Sequence, residues 1–264
     1  MIAAERLDYI IEKLRSEHIV SIQVLSAKLG VTPMTIRRDI LQLEEMGLCQ
    51  RTHGGAISTS RPILSDTPYD QRELLYVNEK QAIARKAAEM VNEGDTIAID
   101  SGTTTFHFAQ ALKDKKNITV ITNSVYVLTE LYDSRQINVI SCAGILSRSN
   151  LTDKEHGDPC LVGPLAEMIM HRFRPQKAFI GTTSLSLVDG LSNSVVDQAS
   201  MKQAMIEVSS EVILLAYHSK FGHVSSAIVG PVTLVDYLIT DSGISDEFEK
   251  RITELGVKVV KVNP

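Results

Sequence analysis

Seven short apolar runs, separated by segments of helical length, fill the chain from Glu79 to its end, and this alternation restricts the fold more than any other feature. The runs lie at 95–100, 118–122, 137–142, 177–181, 212–216, 234–239 and 257–262. The spacing around them predicts helices at 79–92, 104–113, 124–133, 162–173, 197–210 and 245–255. Strands that alternate with helices assemble into a mostly parallel, Rossmann-like α/β sheet covered on both faces. Ligands of such sheets sit beyond the carboxyl ends of the strands.

The first 60 residues follow a different pattern. Leu7, Ile10, Ile11 and Leu14 recur at helical spacing and predict a helix over 3–16. Residues 18–20 form a short extended piece. Ser21 is the expected N-cap of a second helix, 22–29, with Val24, Leu25 and Leu29 facing inward and Gly30 ending it. Thr32 then caps a third helix whose first position is Pro33, where no N–H is missed. That helix buries Ile36, Ile40 and Leu43 and runs to about Met46. Residues 48–53 and 56–57 flank Gly54-Gly55 as a hairpin. Two helices joined by a short glycine turn and followed by a hairpin make a winged helix-turn-helix. The expected organisation is a winged helix-turn-helix domain at 1–58, a linker rich in Ser, Thr and Pro at 59–75, and an α/β domain at 76–264.

A helix-turn-helix unit enters the major groove by the N-terminal end of its second helix. Thr32, Met34, Thr35, Arg37 and Arg38 stand at that end. The threonines can donate to phosphates or bases, and each arginine can fork onto guanine or grip phosphate. Arg51 and His53, on the wing, can reach adjacent backbone or the minor groove. Arg37 or Arg38 can equally pair with Asp39, Glu44 or Glu45 on the helix surface. The net charge of −5 does not oppose this, because residues 1–60 hold seven basic and seven acidic side chains, leaving 20 basic and 25 acidic for the rest. The stretch from Arg51 to Arg61 holds no acid. A local basic surface is what phosphate attraction needs.

At 264 residues the chain accommodates two domains. No apolar run approaches the roughly 20 residues that cross a bilayer, and the first residues lack a basic start followed by an apolar stretch. A cytoplasmic chain without membrane contact is expected. Cys49, Cys142 and Cys160 are odd in number and widely spaced, which predicts buried thiols and neither disulfide nor zinc. The loop 149–160 carries Asp153, Glu155, His156 and Asp158. Acids clustered in a loop containing Gly and Pro read as solvated, so no metal and no cofactor are expected.

The run 95–100 leads through Ser101-Gly102-Thr103-Thr104-Thr105 into a helix. Backbone N–H groups point out of such a turn, the helix dipole adds partial positive charge and the hydroxyls add donors. Gly102 lets the main chain come close to a ligand. The chemistry suits a phosphate monoester, although the same pattern serves ordinary helix capping, and at this level both remain open. The loop is neither a P-loop nor a dinucleotide fingerprint. Asp100 could accept hydrogen bonds from sugar hydroxyls or cap the helix. Thr122-Asn123-Ser124 repeats the arrangement at the next strand end, and Gly144 and Gly181 close two further strands, each leaving room for a ligand. His107, one turn into the loop's helix, could reach a ligand but reads rather as a capped, exposed histidine.

Val24-Leu25-Ser26-Ala27-Lys28-Leu29-Gly30-Val31-Thr32, Thr35-Ile36-Arg37-Arg38-Asp39-Ile40, Leu43-Glu44 and Arg51-Thr52-His53-Gly54-Gly55-Ala56 together resemble the signature of the DeoR family of bacterial regulators. The resemblance runs through nearly the whole chain. It implies a repressor of a sugar or nucleoside catabolic operon, bound to double-stranded operator DNA as a homo-oligomer, dimer or tetramer, and relieved by a phosphorylated sugar. It further implies a second domain similar in fold to ribose-phosphate isomerases and coenzyme A transferases. Asp100-Ser101-Gly102-Thr103-Thr104-Thr105 matches the family's effector loop, and Lys202 and Lys220 fall in or near its pocket. Without the resemblance, either lysine reads as a solvated surface charge. The chain departs from the family pattern at Tyr217, where an acid is usual, at Gln198, where Glu is common, and at Cys142-Ala143-Gly144, where Gly-Gly is more usual.

A competing expectation is a sugar-phosphate isomerase-like enzyme that carries a DNA-binding module. Catalysis would need a positioned general base with a tuned pKa. Asp100 is the strongest candidate, and no matched acid–base pair is visible, so no catalytic residue is assigned.

Overall fold

The computed structural model describes residues 6–7, 9–11, 13–14, 19–45, 49–52, 54–58, 69–147 and 158–264. The chain divides into two units, Met1–Pro62 and Ile63–Pro264. In the first unit, the described residues between 6 and 14 are helical and form α1. Strand β1 (Ile19–Ser21) follows, then α2 (Ile22–Leu29), α3 (Pro33–Glu45), β2 (Cys49–Arg51) and β3 (Gly55–Ser58). The strands form an antiparallel sheet in the order β1-β3-β2. Gly30 ends α2 at φ +63°, the left-handed conformation expected of a glycine stop. The Thr32 hydroxyl accepts the Thr35 N–H at 3.2 Å, so Thr32 does cap α3. Ser21 stands at the cap position of α2, but its hydroxyl makes no capping bond.

Ile10, Leu14, Leu25, Ile36, Ile40 and Leu43 build the core of this unit. Val24 does not join them. It is 63% exposed, because the buried stripe of α2 runs through Ile22 and Leu25 instead.

In the second unit the described residues begin with α4 (Tyr69–Leu74), inside the segment expected to be linker. After α5 (Val77–Glu89) come β4 (Thr96–Ile99), α6 (Thr103–Ala111), β5 (Ile118–Thr122), α7 (Val125–Leu131), β6 (Ile137–Ser141), β7 (Ile145–Ser147), β8 (Cys160–Val162) and α8 (Pro164–Met170). Then follow β9 (Lys177–Ile180), β10 (Ser184–Ser186), β11 (Gly190–Asn193), α9 (Val196–Val208), β12 (Glu211–Leu215), β13 (Ala227–Gly230), β14 (Tyr237–Asp241), α10 (Asp246–Glu254) and β15 (Lys258–Val262). All seven expected strands pair in parallel in one sheet, ordered β15-β14-β12-β9-β4-β5-β6.

Side chains alternate across this sheet, as strand geometry requires. Ala98, Ile121, Ala178 and Leu214 face α8 and α9. Ile97, Ile99, Val120 and Ile213 face α5, α6 and α7. Two small antiparallel additions were not expected: the sheet β10-β11-β13 and the pair β7-β8. Ser-Leu-Ser and Gly-Leu-Ser-Asn carry too few apolar residues to read as strands.

The sheet order reverses at β4. The chain builds β5 and β6 on one side of it, then returns to place β9, β12, β14 and β15 on the other. A crevice opens outside the carboxyl ends of the strands at such a switch point.

Candidate functional site

In the first unit, α3 presents its exposed face through Thr32, Met34, Arg37 and Arg38, with Thr35 half-buried. Met34 is 64% exposed. Of the three candidate partners of the two arginines, Asp39 and Glu44 are engaged elsewhere, and the side chain of Glu45 lies outside the described residues. Asp39 accepts a two-pronged bond from Arg6, at 2.6 and 2.9 Å. Glu44 accepts the N–H and guanidinium of Arg51, at 2.9 and 2.7 Å, which holds its carboxyl below the usual range. Among the described residues, neither Arg37 nor Arg38 makes an ion pair. Arg51 keeps half of its side chain exposed beside Glu44. His53 lies outside the described residues.

In the second unit, a cleft lies at the switch point. Its lining includes Ser101 to Thr105 from the end of β4, Gly181 to Thr183 from the end of β9, and Leu215 to Tyr217 with Lys220 from the end of β12. Lys202 on α9 and Arg72 on α4 complete the cationic part, Asp158 adds a carboxylate, and Asn193 and Gln198 add neutral polar groups. Gly102 precedes α6 at φ +146°, a conformation that favours glycine, and the first residues of the helix, Thr103 to Thr105, line the cleft. The Thr105 hydroxyl donates to the Gly102 carbonyl at 3.0 Å, while no described partner takes the hydroxyls of Thr103 or Thr104.

Asp100 lies directly behind this loop, 1% exposed. Its Oδ2 accepts the Gly181 N–H at 3.0 Å and the Lys202 ammonium. Asp100 thus ties β4, β9 and α9 together and does not cap the helix. Lys202, 2% exposed, is no solvated lysine. The Lys220 ammonium lies 5.0 Å from the centre of the Tyr217 ring, which stacks on Tyr76. Burial pushes the Tyr217 hydroxyl up to about 12, so it stays neutral. Burial, with Asp158 nearby, also pushes the Cys160 thiol up to about 12. Asn193 donates to Gln198 at 2.9 Å, and Gln198 donates to Cys160 Sγ at 3.5 Å.

Besides Asp100, three expected site residues lie apart from this lining. Ser124 caps α7 by accepting the Val127 N–H at 3.3 Å. Asn123 donates to the Leu161 carbonyl at 3.2 Å beneath β8. Gly144 leaves no room for a ligand, because a Cβ there would lie 2.5 Å from the Val162 oxygen and 3.1 Å from Ala166. His107 is buried rather than exposed, bonds Gln110 at 3.0 Å and has its pKa lowered by burial and by Lys80.

Sequence reasoning missed Arg72, Thr182, Thr183 and Asn193 in the lining. Arg72 is presented by α4, whose last carbonyls accept the buried Lys80 ammonium at 2.6 and 2.9 Å. Burial lowers Lys80 to about 8. A lysine amid the apolar stripe of α5 was the available signal. Asp153, Glu155 and His156 lie outside the described residues.

The sequence matches the DeoR-like helix-turn-helix domain over residues 6–61 and the DeoR C terminal sensor domain over residues 76–242. It is 36% identical over 262 residues to the HTH-type transcriptional regulator YulB of Bacillus subtilis, covering 99% of this chain and 98% of that one. It is 35% identical over 261 residues to the transcriptional repressor AccR of Agrobacterium fabrum, covering 98% and 97%. Among solved structures, a ribose 5-phosphate isomerase of Methanocaldococcus jannaschii aligns with a TM-score of 0.39 at 14% identity, over 54% of this chain and 53% of that one.

Proposed function

The chain belongs to the DeoR family of transcriptional regulators, and on that premise we propose that it represses a carbohydrate-catabolism operon until a phosphorylated sugar occupies the cleft at β4. One observation carries the effector reading. The N-terminus of α6, with its hydroxyls, converges with Lys202, Lys220 and Arg72 on a single cleft. Helix N-terminal N–H groups and three cations, set against Asp158 in the lining and Asp100 behind Lys202, leave a cationic excess that suits a phosphate. Asn193, Gln198, Thr182 and Thr183 supply neutral polar groups for sugar hydroxyls. The relatives named as regulators and repressors support the DNA reading, as does the exposed face of α3.

The chain acts as a regulator and not as an isomerase. Asp100, the base that an isomerase would need, is held by Lys202 and Gly181. The protein works in the cytoplasm, as a dimer or tetramer, because one recognition helix per chain meets an operator of two half-sites. Among the described residues, no helix is long and apolar enough to cross a membrane.

A thermal-shift screen of the full chain against phosphorylated pentoses, hexoses and polyols tests the effector. A specific ligand raises the midpoint by mass action and lowers operator affinity in a mobility-shift assay. Enzyme-like consumption of the sugar phosphate, or a midpoint that no phosphorylated sugar moves, would overturn the reading.

A further inference from the structure

The first unit contains a buried ion pair at an informative place. Arg6 on α1 grips both carboxylate oxygens of Asp39 on α3, at 2.6 and 2.9 Å, with side chains 11% and 7% exposed. The two residues stand 33 positions apart, so the fork joins the first helix to the third.

The position of Asp39 on α3 is telling. A residue turns about 100° around a helix axis. Ile36, Ile40 and Leu43 define the buried stripe. Asp39 sits at one margin of that stripe, and Met34, Arg37, Arg38 and Leu41 lie on the opposite face. Close packing of these side chains sets the general rotation of the helix, while burial itself is non-directional. A planar guanidinium on a planar carboxylate is directional in both distance and plane. Rotating α3 by about 30° would carry a side-chain tip about 3 Å around the axis. That shift would take either arginine out of hydrogen-bond reach of a base edge.

Stability gives a weaker reason for the pair. Two charges removed from water lose hydration that their attraction only roughly restores, and a well-packed apolar pair of similar volume usually stabilises as much or more. A directional, desolvated fork on the back of a reading helix therefore serves orientation.

We infer that the Arg6–Asp39 fork is a positioning device that sets the rotation of α3, so that Asp39 governs sequence discrimination on DNA without touching DNA. The inference rests on the reading of α3 as the DNA-contacting helix. Asp39 also keeps its carboxylate off the phosphates, because Arg6 holds it inward.

The test uses the full chain and two duplexes of equal length. One is selected by the wild-type protein from a randomised pool, and the other is a scrambled version of it. Both are titrated at one salt concentration, since non-specific affinity depends steeply on salt. The double variant Arg6→Met/Asp39→Leu is expected to keep the wild-type thermal midpoint or exceed it. It is expected to lose at least about tenfold in the ratio of selected to scrambled affinity, the scale of one bidentate base contact. Arg6→Lys keeps the charge and loses the fork, and it is expected to lose part of the ratio. This variant and Asp39→Asn carry the test should the double variant not fold. A folded double variant with an unchanged ratio overturns the inference. So do losses that fall equally on both duplexes and track the thermal midpoint, which would make the pair merely structural. A wild-type protein that shows no preference between the duplexes removes the DNA reading itself, and the inference with it.

Discussion

The ends of β4 and β5 look alike in sequence and differ in use. Each strand runs into a short hydroxyl-bearing loop and then a helix. At β4 the loop faces the cleft, with the hydroxyls of Thr103 and Thr104 unclaimed among the described residues. At β5 the same chemistry is used internally. Thr122 donates to the Ile99 carbonyl at 2.7 Å and accepts the Ser124 N–H at 3.0 Å, and Ser124 caps α7. The start of β8 then lies across the loop: Leu161 N–H bonds the Asn123 carbonyl at 2.8 Å and Val125 N–H bonds the Pro159 carbonyl at 3.1 Å. A strand end becomes a site through what the rest of the chain leaves uncovered. The switch in strand order at β4 keeps that end open, whereas β5, between β4 and β6, has no crevice of its own.

The contrast can be tested from both sides. Thr104→Glu puts a carboxylate where the phosphate is expected, and should weaken sugar-phosphate binding by at least about 1,000-fold, on the order of 4 kcal/mol. Calorimetry on the purified variant reads this directly, and a reporter should stay repressed at any effector concentration. Lys202→Met removes a cation from the cleft and strands Asp100. Affinity should fall by about 10- to 100-fold, as for a lost bond to a charged group. Stability should drop by on the order of 3–5 kcal/mol, measured by denaturant unfolding, because one partner of a buried pair remains. Ser124→Ala should do the reverse. It should cost about 1 kcal/mol of stability through the lost cap and leave effector affinity within about twofold. An affinity loss at Ser124 larger than that at Lys202 would mean that the effector sits at β5.

The parallel sheet was legible because its strands are continuous apolar runs, and the helix-turn-helix because the Thr32 cap, the Gly30 stop and the apolar spacing of α3 agree. The loop that lines the cleft at β4 was legible because Gly102 and three threonines stand together at one strand end. What escaped has physical causes. Strand order is a long-range property, so nothing local in Thr122-Asn123-Ser124 announces that β8 covers it. Only the family resemblance brought Lys202 to the pocket; by itself it reads as a surface charge, because its partner, Asp100, is 102 positions away. Gly144 looked like open space because its neighbours, Val162 and Ala166, come from the next hairpin and helix. Helix α4 was hidden by its charged sequence, Tyr-Asp-Gln-Arg-Glu-Leu, which burial of Tyr69 and the Lys80 clamp hold in place.

The pairing of β4 with β9 has a consequence for hydrogen exchange. It joins two stretches that are each contiguous in sequence, β4-β5-β6 and β9 onward, through a ladder in which Asp100 N–H bonds the Phe179 carbonyl at 3.1 Å. A ligand held by Ser101 to Thr105 on one side and by Gly181 and Lys202 on the other is a clasp across that seam. Amides that exchange only when the two halves part would then be slowed by the full factor of ligand occupancy, about 100-fold at a concentration 100 times Kd. Amides between β5 and β6 lie within one half, and openings that leave the clasp shut would still expose them. The seam, and not the rim of the cleft, is where occupancy would be recorded most strongly.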